Sequence, residues 1–206
     1  VVPNVSQVQV GASDKVTFDS ALRSILRHDP DVVMIGKIRD LPTADIALKA
    51  ALTGHLVFSS LHTNTAIGAV TRLMDFGCEP YLVSATLAGA ISQRLVRRLC
   101  PACREEVEVD DANRALLGDY ELKRHFKPVG CPQCLGTGYS GRIGLFECFW
   151  TGDETRELIS KGAAEHEISR VGGDLHKTMF RDGLDKVSLG LTSLEEVIGV
   201  TIGATI

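Results

Sequence analysis

The 206-residue sequence predicts an α/β protein that carries a small cysteine-rich subdomain and a C-terminal helical region. Three observations lead there. Two short apolar runs, Val32–Ile35 and Leu56–Ser59, flank a stretch of helical periodicity, the pattern of a βαβ unit whose two strands run parallel. Two Cys-x-x-Cys pairs, Cys100/Cys103 and Cys131/Cys134, follow with 27 residues between them. From about Thr151 onward the pattern is that of small helices. The expected division is residues 1–99, 100–150 and 151–206.

Residues 1–10 alternate, with Val5, Val8 and Val10 against Asn4, Gln7 and Gln9, and predict a strand. Phe18, Ala21, Leu22, Ile25 and Leu26 then share one face of a helix that Asp29-Pro30 should end. Val32–Ile35 reads as a fully buried strand closed by Gly36. Asp40 or Thr43 should cap the next helix, which has Pro42 in its first turn, turns Ile46, Ala47 and Ala50 inward and stops at Gly54. After the strand Leu56–Ser59, helices are expected over about 65–76, ended by Gly77, and over about 80–98, where Arg97 and Arg98 suit a C-terminus. Ser193-Leu-Glu-Glu196 has the spacing of a capping box and should open the last helix.

Both strands of the βαβ unit should end at one edge, where ligands of open α/β sheets bind. Lys37 and Arg39 lie at one strand end, and Leu61-His62-Thr63-Asn64 at the other. Arg39 can hold a phosphate bidentately, or pair with Asp40 or Asp45 at the surface. His62 can hydrogen-bond a terminal phosphate or serve a purely structural role. A phosphate-processing site wants an acid at such an edge to organise magnesium or water, yet the residue presented is Lys37.

Two Cys-x-x-Cys turns each aim two thiolates at one tetrahedral ion, and together they predict a closed four-sulfur zinc site of structural type. Disulfides and a redox Cys-x-x-Cys are the rival readings. Cys78 and Cys148 lack ligand spacing and read as buried free thiols. Gly136-Thr-Gly138-Tyr-Ser-Gly141 fits G-x-G-x-x-G, but it follows a metal knuckle and precedes the strand-like Ile143–Glu147, so tight turns are expected rather than a dinucleotide site.

A net charge of −4 disfavours generic nucleic-acid binding, although Arg94, Arg97, Arg98 and Arg104 cluster locally. No apolar run approaches the ~20 residues that span a bilayer, and no secretory signal opens the sequence, so a cytoplasmic protein without a membrane span is expected.

The segments LRSILRHDPDVVMIGKIRD, ALTGHLVFSSLHTNTAIGAVTRLMDFGCEPYL, QRLVRRLCPAC, GCPQCLGTGYSGRIGLFE and GLTSLEEVIGVT resemble the ATPases that power type II secretion and type IV pilus assembly. The resemblance implies part of a RecA-like P-loop NTPase sheet, a cytosolic homohexamer at the inner membrane, and attachment to an inner-membrane platform protein. It also implies ATP with magnesium in the complete motor and a four-cysteine zinc subdomain. It makes DPDVVMIGKIRD the Walker B segment and LVFSSLHTN the histidine box. Arg39 and His62 thereby become nucleotide-site residues, Lys37 and His62 take the catalytic positions, and Cys100, Cys103, Cys131 and Cys134 become zinc ligands. Two departures stand out. The family's phosphate loop, G-x4-G-K-[ST], is expected upstream, since neither GASDK nor GTGYSG fits it, so the chain reads as the C-terminal part of a motor, inactive alone. Where the family has the glutamate of G-E-I-R-D, this sequence has Lys37, which cannot accept a proton when charged and repels magnesium. The alternative is a non-catalytic zinc-containing interaction module that binds the secretion platform.

Overall fold

Residues 3, 5–10 and 17–201 are described by a computed structural model. Residues 5–10 form no strand, and Val5 and Val8 are exposed. Alternation alone makes no strand without a neighbour to pair with, which corrects the expectation for that part of residues 1–10. The rest of that stretch, residues 1, 2 and 4, lies outside the described residues.

Helix α1 (Phe18–Leu26) opens at Thr17, whose hydroxyl accepts the Ser20 N–H at 3.2 Å. Asp29 then takes a left-handed turn, φ 51°, a conformation short polar side chains tolerate. Strand β1 (Val32–Ile35), helix α2 (Leu41–Leu52) and strand β2 (Leu56–Ser59) form the expected βαβ unit, with Val32 opposite Leu56 and Ile35 opposite Ser59 in a parallel pair. Asp40 is the cap of α2. Its Oδ1 accepts the Thr43 N–H at 2.9 Å, and that bond holds its carboxyl below the ordinary carboxylate range.

β1 departs from a fully buried strand. Val33 and Ile35 are buried, as are Ile46, Ala47 and Ala50 of α2, whereas Met34 is 80% exposed and Phe58, its cross-strand partner, 54%. Among the described residues this sheet has two strands, and the side chains of the other face, Val32, Met34, Leu56 and Phe58, remain exposed.

Helix α3 (Gly68–Asp75) stops before Gly77 as expected, and α4 (Pro80–Thr86) follows. The helix expected over 80–98 is corrected here. Leu87 is extended, and Gly89–Leu99 is strand β3, paired with a later strand. Partners distant in sequence decide this: the Leu99 N–H donates to Leu191 O at 3.0 Å and the Arg97 N–H to the Glu196 carboxylate at 2.8 Å. Such tertiary pairing overrides the local preference of an Ala- and Leu-rich stretch.

β4 (Glu105–Glu108) and β5 (Arg124–Lys127) pair antiparallel, with α5 (Asp111–Leu116) between them. A 3-10 turn at Pro132–Cys134 leads into β6 (Tyr139–Trp150), which contains the expected strand Ile143–Glu147. Then come α6 (Asp153–Ser160), α7 (Glu165–Gly172), β7 (His176–Lys177), α8 (Met179–Ser188) and α9 (Leu194–Thr201). The C-terminal stretch is therefore largely helical, and β3, β6 and β7 form a sheet in that order.

Ser193 caps α9 weakly, its Oγ accepting the Glu196 N–H at 3.4 Å. The reciprocal half of the expected capping box is diverted, because Glu196 gives its carboxylate to the Arg97 backbone and, at 2.6 Å, to its guanidinium.

The chain forms two compact units. One comprises Val1–Gly89 with Thr151–Gly172, and the other Ala90–Trp150 with Gly173–Ile206. The second has its own core of Val96, Leu145, Leu184, Val187, Leu194 and Val197. Among the described residues no helix is long and apolar enough to cross a membrane.

Candidate functional site

Two places gather chemistry, one in each unit. In the first unit, the ends of β1 and β2 are tied side by side: the Ile38 N–H donates to Ser60 O at 3.1 Å, and the Ser60 hydroxyl to Gly36 O at 2.7 Å. Lys37 is half-buried within this clamp and Arg39 is exposed just beyond it. The acids that could have neutralised them are engaged elsewhere, Asp40 on Thr43 N and Asp45 on Lys49 Nζ at 2.7 Å. Among the described residues, Lys37 and Arg39 make no ion pair, so two cationic groups stand at one strand edge. Such an edge suits an anion.

His62 is exposed on the loop that follows β2. It lines a cavity of about 340 Å³ with Thr63, Thr65, Arg72, Asp75 and Glu165, and neither Lys37 nor Arg39 is part of that lining. The β1–β2 edge thus brings the three sequence-predicted residues to one end of the sheet, with His62 on the wall of a cavity that neither Lys37 nor Arg39 lines. Thr65 and Glu165, 100 residues apart, were invisible to sequence reasoning and meet at 2.5 Å. No spacing rule connects a loop threonine to a distant helix.

In the second unit, Cys100, Cys103, Cys131 and Cys134 place their four sulfurs within 4.8 Å of one another. Cys100 and Cys131 are 3.9 Å apart, Cys103 and Cys134 3.8 Å, and Cys131 and Cys134 3.7 Å. A zinc–sulfur bond of about 2.3 Å sets the edge of an ideal sulfur tetrahedron at about 3.8 Å, so the arrangement fits a tetrahedral metal ion. It does not fit disulfides, which bring sulfurs to about 2.05 Å.

The backbone supports the same reading. The Cys131 and Gly138 N–H groups donate to Cys134 Sγ, each at 3.2 Å, and the Cys100 N–H donates to Gly138 O at 2.9 Å. Gly138 sits at φ +76°, and a Cβ there would lie 2.4 Å from Pro128 Cβ, so only glycine brings this amide to the sulfur. Gly136 and Gly138 are therefore turn residues beside the cysteines, as expected, whereas Gly141 lies within β6. Burial opposes ionisation of Cys134, but the two amide donors and the neighbouring thiols outweigh it and bring this thiol down to about 6. Burial and hydrogen bonding to the other cysteines push the Cys103 thiol up to about 11.

Cys78 is buried, and burial pushes its thiol up, as befits an inert structural cysteine. Cys148 is only half-buried.

Type II secretion system protein E of Aeromonas hydrophila is 50% identical over 200 residues, covering 96% of this chain and 40% of that protein. Type II secretion system ATPase E of Vibrio cholerae is 49% identical over 203 residues, 97% of this chain and 40% of that protein. The type IV pilus assembly ATPase PilB of Thermus thermophilus is 46% identical over 206 residues, 98% of this chain and 23% of that protein. The chain therefore spans about two fifths of the length of the secretion relatives.

Among solved structures, the pilus retraction motor PilT with bound ADP superposes with a TM-score of 0.64 at 29% identity, over 92% of this chain and 45% of that one. The Legionella pneumophila ATPase DotB, at 21% identity, shares the fold with a TM-score of 0.63 over 91% of this chain and 42% of that one. The α/β part is accordingly a partial RecA-like ATPase fold. The profile of the family described as type II/IV secretion system protein matches residues 2–199, nearly the whole sequence, and the chain belongs to that family.

Proposed function

We propose that the chain is the C-terminal part of a hexameric cytosolic ATPase that powers type II secretion or type IV pilus assembly, driving an inner-membrane platform protein by ATP hydrolysis. The observation that carries this reading is the clamped β1–β2 edge, which sets Lys37 and Arg39 beside the loop bearing His62. In this role Arg39 and His62 contact the nucleotide's phosphates, and Lys37 occupies the position where the family's glutamate acts on water or metal. Zinc, held by Cys100, Cys103, Cys131 and Cys134, supplies a structural crosslink and no open coordination position for chemistry.

The segment alone is expected to be inactive, because the edge cannot replace the array of backbone amides and the lysine that cradle phosphates in a P-loop. A steady-state phosphate-release assay on the 206-residue chain tests this. Background rates are expected, and magnesium-dependent turnover abolished by His62→Ala would overturn it. The alternative, a non-catalytic module that binds the platform through its zinc-containing unit, draws on the completeness of the cysteine set within this chain. A full-length protein that binds the platform normally but never hydrolyses ATP, even with Lys37→Glu, would favour that alternative.

A further inference from the structure

We infer that Glu165 is a positioning residue for His62: through Thr65 it fixes the loop on which the histidine stands. The inference rests on the reading of His62 as a nucleotide-site residue. The loop between β2 and α3 is anchored differently at its two ends. At the start, Ser60 is bound to the end of β1. At the finish, Thr65 holds the first turn of α3, where the helix's own boundary residue Ile67 supplies no side-chain cap.

Thr65 Oγ1 accepts the Gly68 N–H at 3.0 Å and donates its one proton to Glu165 Oε1 at 2.5 Å, a separation typical of a hydroxyl bonded to a carboxylate. Thr65 O also accepts the Thr63 hydroxyl at 3.0 Å, which carries the restraint to the residue beside His62. Gly68 makes the approach possible, since a Cβ there would lie 2.7 Å from Thr65 Oγ1.

A different acid of the first turn reaches back to the residue before α7: Glu167 accepts the Ala164 N–H at 2.9 Å. The carboxylate of Glu165 is directed at the loop instead, and it shares with His62 the wall of the same cavity. A charge-assisted bond thus ties helix α7 to the histidine's loop.

The test uses the full-length protein and the variants Glu165→Ala, Thr65→Val, Thr65→Ser and His62→Ala, with two readouts. Hydrogen exchange of residues 60–68 is expected to quicken by about tenfold or more in Glu165→Ala and Thr65→Val, the loss expected of one bond to a charged group, while α2 and α7 keep their protection. Thr65→Ser, which keeps the hydroxyl, should stay within about twofold of wild type. In ATP turnover, Glu165→Ala should lower kcat by about tenfold and shift KM by less than about threefold, as expected when a group acting mainly in the transition state is misplaced. Unchanged exchange over 60–68 in Glu165→Ala, or a Thr65→Ser variant as disordered as Thr65→Val, overturns the proposal. If His62→Ala leaves turnover untouched, the nucleotide reading of His62 fails, while the exchange data still decide whether Glu165 fixes the loop.

Discussion

The cysteine centre and the β1–β2 edge differ in how much of their chemistry the chain itself supplies. At the cysteines, all four donors meet within 4.8 Å, and the amides that balance their charge come from the adjoining turns. At the strand edge, the two cationic residues and the histidine share one end of a sheet, yet the cavity that His62 lines is lined by neither cation, and the outer face of that sheet is exposed. A metal knuckle is a local device that a dozen residues on each side can complete. A nucleotide edge is a composite, to which a sheet contributes one wall.

The largest effect expected from breaking this contrast is at the cysteines. Structural zinc carries about 10–16 kcal/mol of apparent binding free energy in small peptides, and that energy is local folding energy. Cys131→Ser should therefore lower the metal content from about one ion per chain to a small fraction of that, and should free the turns around residues 100–104 and 128–139. The β1–α2–β2 unit should keep its amide protection. Metal analysis combined with hydrogen exchange checks both halves, and a wild-type protein that is folded, reduced and free of metal would contradict the zinc assignment.

The strand edge should respond through rate rather than folding. In the full-length protein, Lys37→Glu is expected to raise kcat by on the order of 10² or more, because a missing general base costs about 10²–10⁴-fold, while nucleotide Kd changes far less. Paired measurements of kcat and Kd decide it. A change below about threefold would make Lys37 a surface residue without a mechanistic part.

The smallest expected effect lies in the second unit, away from its cysteines. Burial opposes the charge of Asp182, but Lys186, the Phe146 N–H and Lys177 outweigh it and hold its carboxyl below the usual range. A carboxyl depressed in the folded state contributes stability that is fully present above its unfolded pKa and is lost as pH falls through the folded one. Asp182→Asn should therefore lower the neutral-pH Tm by on the order of a few degrees and flatten the acid limb below about pH 4. A parallel downward shift at all pH values would show that the group's ionisation is not responsible.

Sequence made the cysteine centre legible because its geometry is local: two residues between each pair of thiols leave few ways to arrange them. The βαβ unit was legible for a related reason, since Asp40, Pro42 and Gly54 punctuate a helix between two apolar runs. What escaped was set by distant partners. Gly89–Leu99 has a composition that reads as helix, and β6, Leu191 and Glu196 make it a strand. The apolar run at β1 signalled burial on two faces, whereas one face is packed. The Thr65–Glu165 bond joins residues that share no pattern in sequence.

The chain's path through its two units has a consequence for biosynthesis. The first unit is closed by α6 and α7, which are translated only after the whole of β3 to β6, and the second is closed by segments made later still. Neither unit is complete when its neighbour begins to emerge, so simple N-to-C sequential folding is unavailable to this polypeptide. At ~5–20 residues per second the ribosome leaves α3 and α4 waiting several seconds for α6 and α7, the helices they pack against.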